Sequence, residues 1–401
     1  MDRVPWSYAY MFPSDRKSPQ RRIPSLFSSC QESNNAELIC GLLMAGANVN
    51  EVASNGWTPL HAASSNCLSD NVLMLLKWGA DPNRSTWDGT TPLLLAVKYI
   101  ATHDEVDHVK ALKTIEILLG CEADVGTMHH RTIDEYSAQY AEDARLGRTN
   151  VLHYIDEVPR DLGIDVLDLL LQHSCGRRPI NAKDELGRTP LNLACASKRV
   201  EAAIKLITKG AHVETRDRFG NTPLHLSVSW DKEDLLVPTL IKAGAPLNAR
   251  RWEERWTPLH LACKYENVRA VTALLDAGAD ASKRAQTGLT ALQLAVKQGK
   301  SASVCALLEW GLRPPLAEVK GGNGKCWRDG KMDIKTTPKI MKRIDPLLIM
   351  AAAQKCTKVV KLLLGAGCDV NCSDERGYTA LHHAAGSGWS SNVMVLVEAG
   401  A

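Results

Sequence analysis

Apolar residues in this chain arrive in paired short bursts. One burst is compact and Ala-rich, as in "PLHLACKYE" from Pro258 to Glu266. The next carries a Leu stripe, as in "VRAVTALLDAG" from Val268 to Gly278, with Leu274 and Leu275. Each suits a helix of two or three turns with one apolar face. Between the pairs lie polar turns marked by Gly and Asp, such as "RDRFGNT" and "SDERGYT". The pattern predicts a chain of helix pairs joined by tight turns.

The pairs recur with a period. "TPLH" begins at Thr58, Thr222 and Thr257, "TPLL" at Thr91, "TPLN" at Thr189, "TALQ" at Thr290 and "TALH" at Thr379. "NVLH" at Asn150, "DPLL" at Asp345 and "SLFS" at Ser25 are weaker copies. Successive starts lie 33, 33, 59, 39, 33, 35, 33, 55 and 34 residues apart, so a unit of 33 recurs with a few insertions. The first motif residue is Ser, Thr, Asn or Asp in every copy, the side chains that cap a helix N-terminus. Pro follows in six of the ten copies, where its missing N–H costs nothing. The second helix of a unit is expected to stop at a left-handed Gly: Gly46, Gly79, Gly210, Gly244, Gly278, Gly311, Gly367 or Gly400. One such pair cannot bury its own apolar faces, but a stack of them can.

These residues resemble the ankyrin repeat family. Its pattern, a Gly-x-Thr-Pro-Leu-His opening followed by a Leu pair and Gly-Ala-Asp, is read directly from Gly220 to Asn248 and from Thr257 to Asp280. The resemblance implies an all-α solenoid of stacked helix-turn-helix units with β-turn or hairpin fingers, about ten repeats over residues 25–401. The Asn150 and Asp345 units carry the pattern weakly, and Glu122 stands where the Thr91 unit should have its stopping Gly, so helical packing is least secure there.

Stacking also interprets the one pair that looks chemical, His260 and Cys263. The His260 column reads Ser28, His61, Leu94, His153, Asn192, His225, His260, Gln293, Leu348 and His382. A catalytic or metal-binding residue is not repeated five times and replaced elsewhere by Leu. In the family this His takes a hydrogen bond from the motif Thr and braces the neighbouring turn, which fits Thr58, Thr222, Thr257 and Thr379. The Cys263 column holds Ser64, Val97, Cys195, Val228, Val296, Ala351 and Ala385, a small packing position that a free Cys fills as a small hydrophobe.

Composition narrows the class further. The formal charge is +3 from 48 basic and 45 acidic residues, which gives no overall pull toward nucleic acid or membrane. Twelve scattered cysteines without a CxxC pair read as reduced thiols. The N-terminus lacks the apolar core of a signal peptide, and no window is long enough for a membrane span. A soluble cytosolic or nuclear chain, monomeric as an array, is the expectation. "VKGGNGKC" from Val319 to Cys326 lacks both the first Gly and the final Ser or Thr of a phosphate loop. No catalytic, cofactor or metal site is expected. Residues 1–24 read as a basic, Pro-rich disordered arm, and insertions fall near 100–110, 126–149 and 314–344. "IDEYSAQYAEDARLG" within the second suits an extra helix, and the third is basic. The last helix, in "VMVLVEAGA", is as apolar as internal ones, which fits a fragment or an end that packs against something else.

Function is therefore sought on the turns, where packing constrains identity least. They carry Trp57, Trp87, Arg218, Phe219, Arg250, Arg251, Trp252, Arg255, Trp256 and Tyr378. Trp, Tyr and Arg dominate interface hot spots. Trp87, Arg218, Phe219, Arg250, Arg251, Trp252, Arg255 and Trp256 are the candidate partner-binding residues, with an acidic or apolar peptide as ligand. The expected function is a protein-interaction scaffold or adaptor. The alternative is the substrate-recruiting module of an enzyme assembly such as a ubiquitin ligase.

Overall fold

A computed structural model describes residues 25–32, 34–103, 108–131, 147–173, 179–229, 235–311, 327–328, 331–332 and 338–401. Its helices pair in chain order. The first three pairs are α1 (Leu26–Glu32) with α2 (Ala36–Met44), α3 (Pro59–Ser65) with α4 (Ser69–Lys77), and α5 (Pro92–Thr102) with α6 (His108–Gly120). A two-stranded antiparallel ladder follows, β1 (His129–Arg131) with β2 (Gly147–Thr149), His129 opposite Thr149. The fourth pair is a 3₁₀ segment, Val151–Asp156, with α7 (Arg160–Gln172). Next come α8 (Pro190–Ala196) with α9 (Val200–Thr208), α10 (Pro223–Ser227) with α11 (Leu236–Lys242), and α12 (Pro258–Lys264) with α13 (Val268–Asp276). The last three are α14 (Ala291–Lys297) with α15 (Ser301–Gly311), α16 (Pro338–Ala352) with α17 (Thr357–Gly365), and α18 (Ala380–Gly386) with α19 (Ser390–Glu398). A short ladder, β3 (Trp327–Arg328) with β4 (Lys331–Met332), precedes α16.

Helices of seven residues do not persist alone in water, because nucleation consumes most of what their few hydrogen bonds return. Two local devices and one global one hold them. At the N-terminus the motif Thr caps: Thr58 accepts from the His61 N–H and Thr91 from the Leu94 N–H. At the C-terminus of the second helix, the N–H after the stopping residue returns to a Leu carbonyl five residues back. Ala80 to Leu75, Ala211 to Leu206, Ala245 to Leu240, Ala279 to Leu274 and Cys368 to Leu363 all follow this rule. The same leucines are fully buried, so the capping turn and the core layer are one feature. Globally, first helices pack on first helices and second on second, pair after pair, from α1 to α19.

Seven of the eight expected stopping glycines are left-handed, with φ from 84° at Gly79 to 94° at Gly400. Gly311 is the exception, since it is the last residue of α15. Glu122, in the Thr91 unit, takes the same left-handed turn at φ 63°. The Ala123 N–H then bonds to the Leu118 carbonyl, as Ala80 does to Leu75 and Ala211 to Leu206. The turn is thus imposed by the stack, at the cost of a Cβ in a disfavoured region.

Two units depart from the simple plan. The Asn150 unit opens with a tight 3₁₀ segment in place of an α-helix. In the Asp345 unit the helix begins seven residues early, at Pro338, so Asp345 is not its cap and Pro346 sits inside the helix. Asp345 instead accepts from the Asp369 N–H at 3.1 Å. Part of the first insertion simply lengthens α5 to eleven residues. The arm of residues 1–24, the "IDEYSAQYAEDARL" stretch, the "VKGGNGKC" loop and most of the basic insert lie outside the described residues. Among the described residues, no helix is long and apolar enough to cross a membrane.

Candidate functional site

The stack decides the role of the repeated His before any site is sought. In four units the Thr hydroxyl lies 2.8–2.9 Å from His Nδ1 (Thr58–His61, Thr222–His225, Thr257–His260, Thr379–His382). The Thr backbone N–H also donates to Nδ1, at 3.2 Å for His61 and His225. Nδ1 is therefore the acceptor, and Nε2 carries the proton. That Nε2–H donates to the carbonyl just before the next unit's motif: Thr90 from His61, Arg188 from His153, Trp256 from His225 and Leu289 from His260. Each imidazole is a strut between consecutive units. Burial holds His61 and His225 down to about 4 and lowers His153 and His260 as well. Cys263 is fully buried, and desolvation pushes its thiol well up. Neither member of that pair is poised for nucleophilic chemistry. Among the described residues no group of three or more His, Cys, Asp or Glu is placed to hold a metal ion. His382 caps Thr379 while its neighbour His383 pairs with Asp374 at 2.9 Å, so the two rings serve different contacts.

The struts end on the turns, which form fingers with a common plan. The N–H of the first finger residue bonds to the carbonyl four residues on: Ala53 to Trp57, Thr86 to Thr90, Asp184 to Arg188, Asp217 to Asn221, Ala285 to Leu289 and Asp374 to Tyr378. Each of these has a left-handed Gly at its fourth residue, Gly220 in the Asp217 finger at φ 79°. The finger from Arg251 to Trp256 breaks the plan. It is one residue longer, closing from the Arg251 N–H to the Trp256 carbonyl at 3.0 Å, and Arg255 holds the left-handed position at φ 55°.

Successive fingers are stitched together by backbone. Arg218 N–H donates to Leu186 at 2.6 Å, Trp252 N–H to Phe219 at 3.2 Å and Gln286 N–H to Glu254 at 2.8 Å. Four fingers, from Asp184 to Leu289, thereby make one continuous ridge. Trp252 is fixed on it twice, because a Cβ on Gly220 would fall 2.7 Å from its Cδ1. The ring remains 61% exposed and Phe219 48% exposed, so both keep apolar surface free after packing.

Seven of the eight candidate residues gather on two adjacent fingers of this ridge. Arg218, Phe219, Trp252 and Arg255 are exposed; Arg250, Arg251 and Trp256 are half-buried. Arg251 turns toward Glu254, with 3.6 Å between charges. Trp256 packs against the core, and Lys264 lies 4.6 Å from its ring centroid. Trp87 belongs elsewhere: it is 82% exposed on the Thr86 finger, against Gly56, with the Thr91 helices and the Asn150 unit between it and the ridge. Sequence reasoning missed Arg216, whose Nη1 donates to the Arg250 carbonyl at 3.0 Å and ties the two fingers together. Its position two before Arg218 on the same turn was the available signal.

Comparison with known proteins agrees with this architecture. The family described as ankyrin repeats matches residues 26–129, 160–251, 231–316 and 348–401. Rabankyrin-5 of Mus musculus is 26% identical over 316 residues, 78% of this chain and 25% of that protein. The B-cell lymphoma 3 protein homolog of Mus musculus is 31% identical over 226 residues, 54% of this chain and 45% of the relative. The human 2-5A-dependent ribonuclease is 42% identical over 66 residues, 16% of this chain and 9% of that protein. The chain thus spans less than half the length of each of these relatives.

Proposed function

The chain belongs to the ankyrin repeat family, a family of protein-interaction modules, and from that premise we propose that it is a scaffold whose partner docks on the ridge at fingers 217–221 and 251–256. One observation carries the reading. Phe219 and Trp252 are large apolar residues whose backbones bond to each other, with Trp252 also seated against Gly220, and they stay 48% and 61% exposed. A rigid aromatic anchor loses little conformational entropy on binding, which is the property of an interface hot spot. Arg218, Arg250 and Arg255 surround them with donors suited to carboxylates and carbonyls. None of the described cysteines is in a disulfide, which supports a cytosolic or nuclear setting as part of this reading. The recruiting-module alternative shares this binding step, and no observation favours it over scaffolding.

The test is affinity capture from cell extract with the unaltered chain and with a Trp252→Ala, Arg251→Ala variant. Loss of a defined partner from the variant, with its melting temperature kept within a few degrees, is the expected result. A complex that survives both substitutions would remove the ridge from consideration.

A further inference from the structure

The guanidinium groups of the ridge fall into two sets. Arg216 and Arg284 are used internally, on the Arg250 carbonyl at 3.0 Å and the Gly288 carbonyl at 2.7 Å, and Arg251 faces Glu254. Among the described residues, the side chains of Arg218, Arg250 and Arg255 make no hydrogen bond or ion pair. A guanidinium has five donors, and three unoccupied groups beside two exposed aromatic rings form an array without a ligand.

Arg255 adds an independent indication. The six described fingers closed over four residues all have Gly at their left-handed position; this one has Arg, with a Cβ penalty of about 1 kcal/mol. Backbone strain of this kind concentrates at functional positions. The extra residue in the finger and the strained Arg occur together, next to Trp252.

We infer that the partner presents an extended acidic segment with a central apolar side chain, its carboxylates taken by Arg218, Arg250 and Arg255 and its apolar group by Phe219 and Trp252. This rests on the ridge being the partner site. Units stack at helix-packing spacing, about 10 Å, and an extended chain advances about 3.3 Å per residue. Carboxylates taken by Arg218 on one finger and by Arg250 or Arg255 on the next therefore lie roughly three residues apart in the segment. A protein is favoured over a nucleic acid because Glu214, Glu253 and Glu254 interleave with the arginines, and a continuous phosphate backbone would meet them. Glu253 is exposed at the finger tip between Trp252 and Arg255 and opposes any anion there.

The experiment is fluorescence anisotropy with the full chain and three labelled probes: a short peptide with glutamate at every third position around a central leucine, its lysine-for-glutamate counterpart, and oligo-uridine. The acidic peptide is expected to bind at least about tenfold more tightly than either other probe. Arg218→Gln with Arg255→Gly should weaken it about tenfold, and Glu253→Gln should strengthen it about threefold. The gain at Glu253 cannot arise from a damaged fold. Equal binding of acidic and basic peptides, or an unchanged affinity in Glu253→Gln, overturns the inference; tighter binding of oligo-uridine does so in favour of a nucleic acid. If the peptide fails while capture of a partner still depends on Trp252 and Arg251, the ridge stands and only the acidic chemistry falls.

Discussion

Four imidazoles set how this protein responds to acid. In the unfolded chain they protonate near 6.5, whereas burial keeps His61 and His225 neutral in the fold down to about 4. Their folded values are depressed, so their contribution is complete above about pH 6.5. It declines as pH falls toward 4, because the unfolded state takes up protons that the folded state refuses. Each of the two contributes on the order of 3 kcal/mol to the swing, and His153 and His260 act in the same direction. Denaturant midpoints are expected to fall steadily between about pH 7 and pH 4.5; a flat profile would show that these rings are not buried struts. Asn192 supplies the internal control. Its Oδ1 accepts from the Thr189 hydroxyl at 2.6 Å, but its Nδ2 has no partner and cannot bridge to the next unit as a ring nitrogen does. Asn192→His should reach the Asn221 carbonyl and raise stability by about 1 kcal/mol, measured by equilibrium unfolding.

At the scale of the element, turns decide the outcome, and they test the split between structure and function. Glu122 and Arg255 both occupy left-handed positions that other units give to Gly. Glu122→Gly should stabilise the protein by about 0.5–1 kcal/mol and leave partner binding unchanged. Arg255→Gly should be neutral or slightly stabilising yet weaken binding. Thermal melts and capture of the same partner, run on both variants, separate the two roles. If Arg255→Gly binds normally, the residue is a tolerated turn and not a contact.

The capping Thr, the stopping Gly and the Leu stripe were readable in sequence because each acts within its own unit. The reach of His Nε2 into the next unit was not derivable from the residues alone, since it depends on how units stack; the family resemblance carried it. Likewise nothing in the chain's spelling separates Trp252, exposed on Gly220, from Trp256, turned into the core. The inter-helix corners were also missed. Cys67, Lys198 and Glu266 are left-handed there, at the position Gly299 and Gly388 fill in other units. A local code does not flag a non-Gly residue forced into that region by packing on both sides. The early start of α16 escaped for a related reason: Pro346 mimics a first-turn proline, while the described helix continues seven residues upstream of Asp345.

For the whole molecule, each unit touches only its neighbours, so stability is a sum of unit and interface terms. Damage in one unit is felt mainly next door. Leu240 is fully buried in α11 between the α9 and α13 layers. Leu240→Ala should cost about 2–5 kcal/mol and loosen α9 to α13 first, leaving α3 to α6 protected in hydrogen exchange. The same locality lets one ridge be recruited for binding while the rest of the stack serves as its frame. Hydrogen-exchange mass spectrometry of the full chain, free and with a captured partner, tests that claim most directly. The account predicts new protection concentrated in peptides covering 216–222 and 250–256, with the second helices of those units unchanged. Protection confined to the outer helices α9, α11 and α13, with both fingers exchanging as in the free protein, would contradict it.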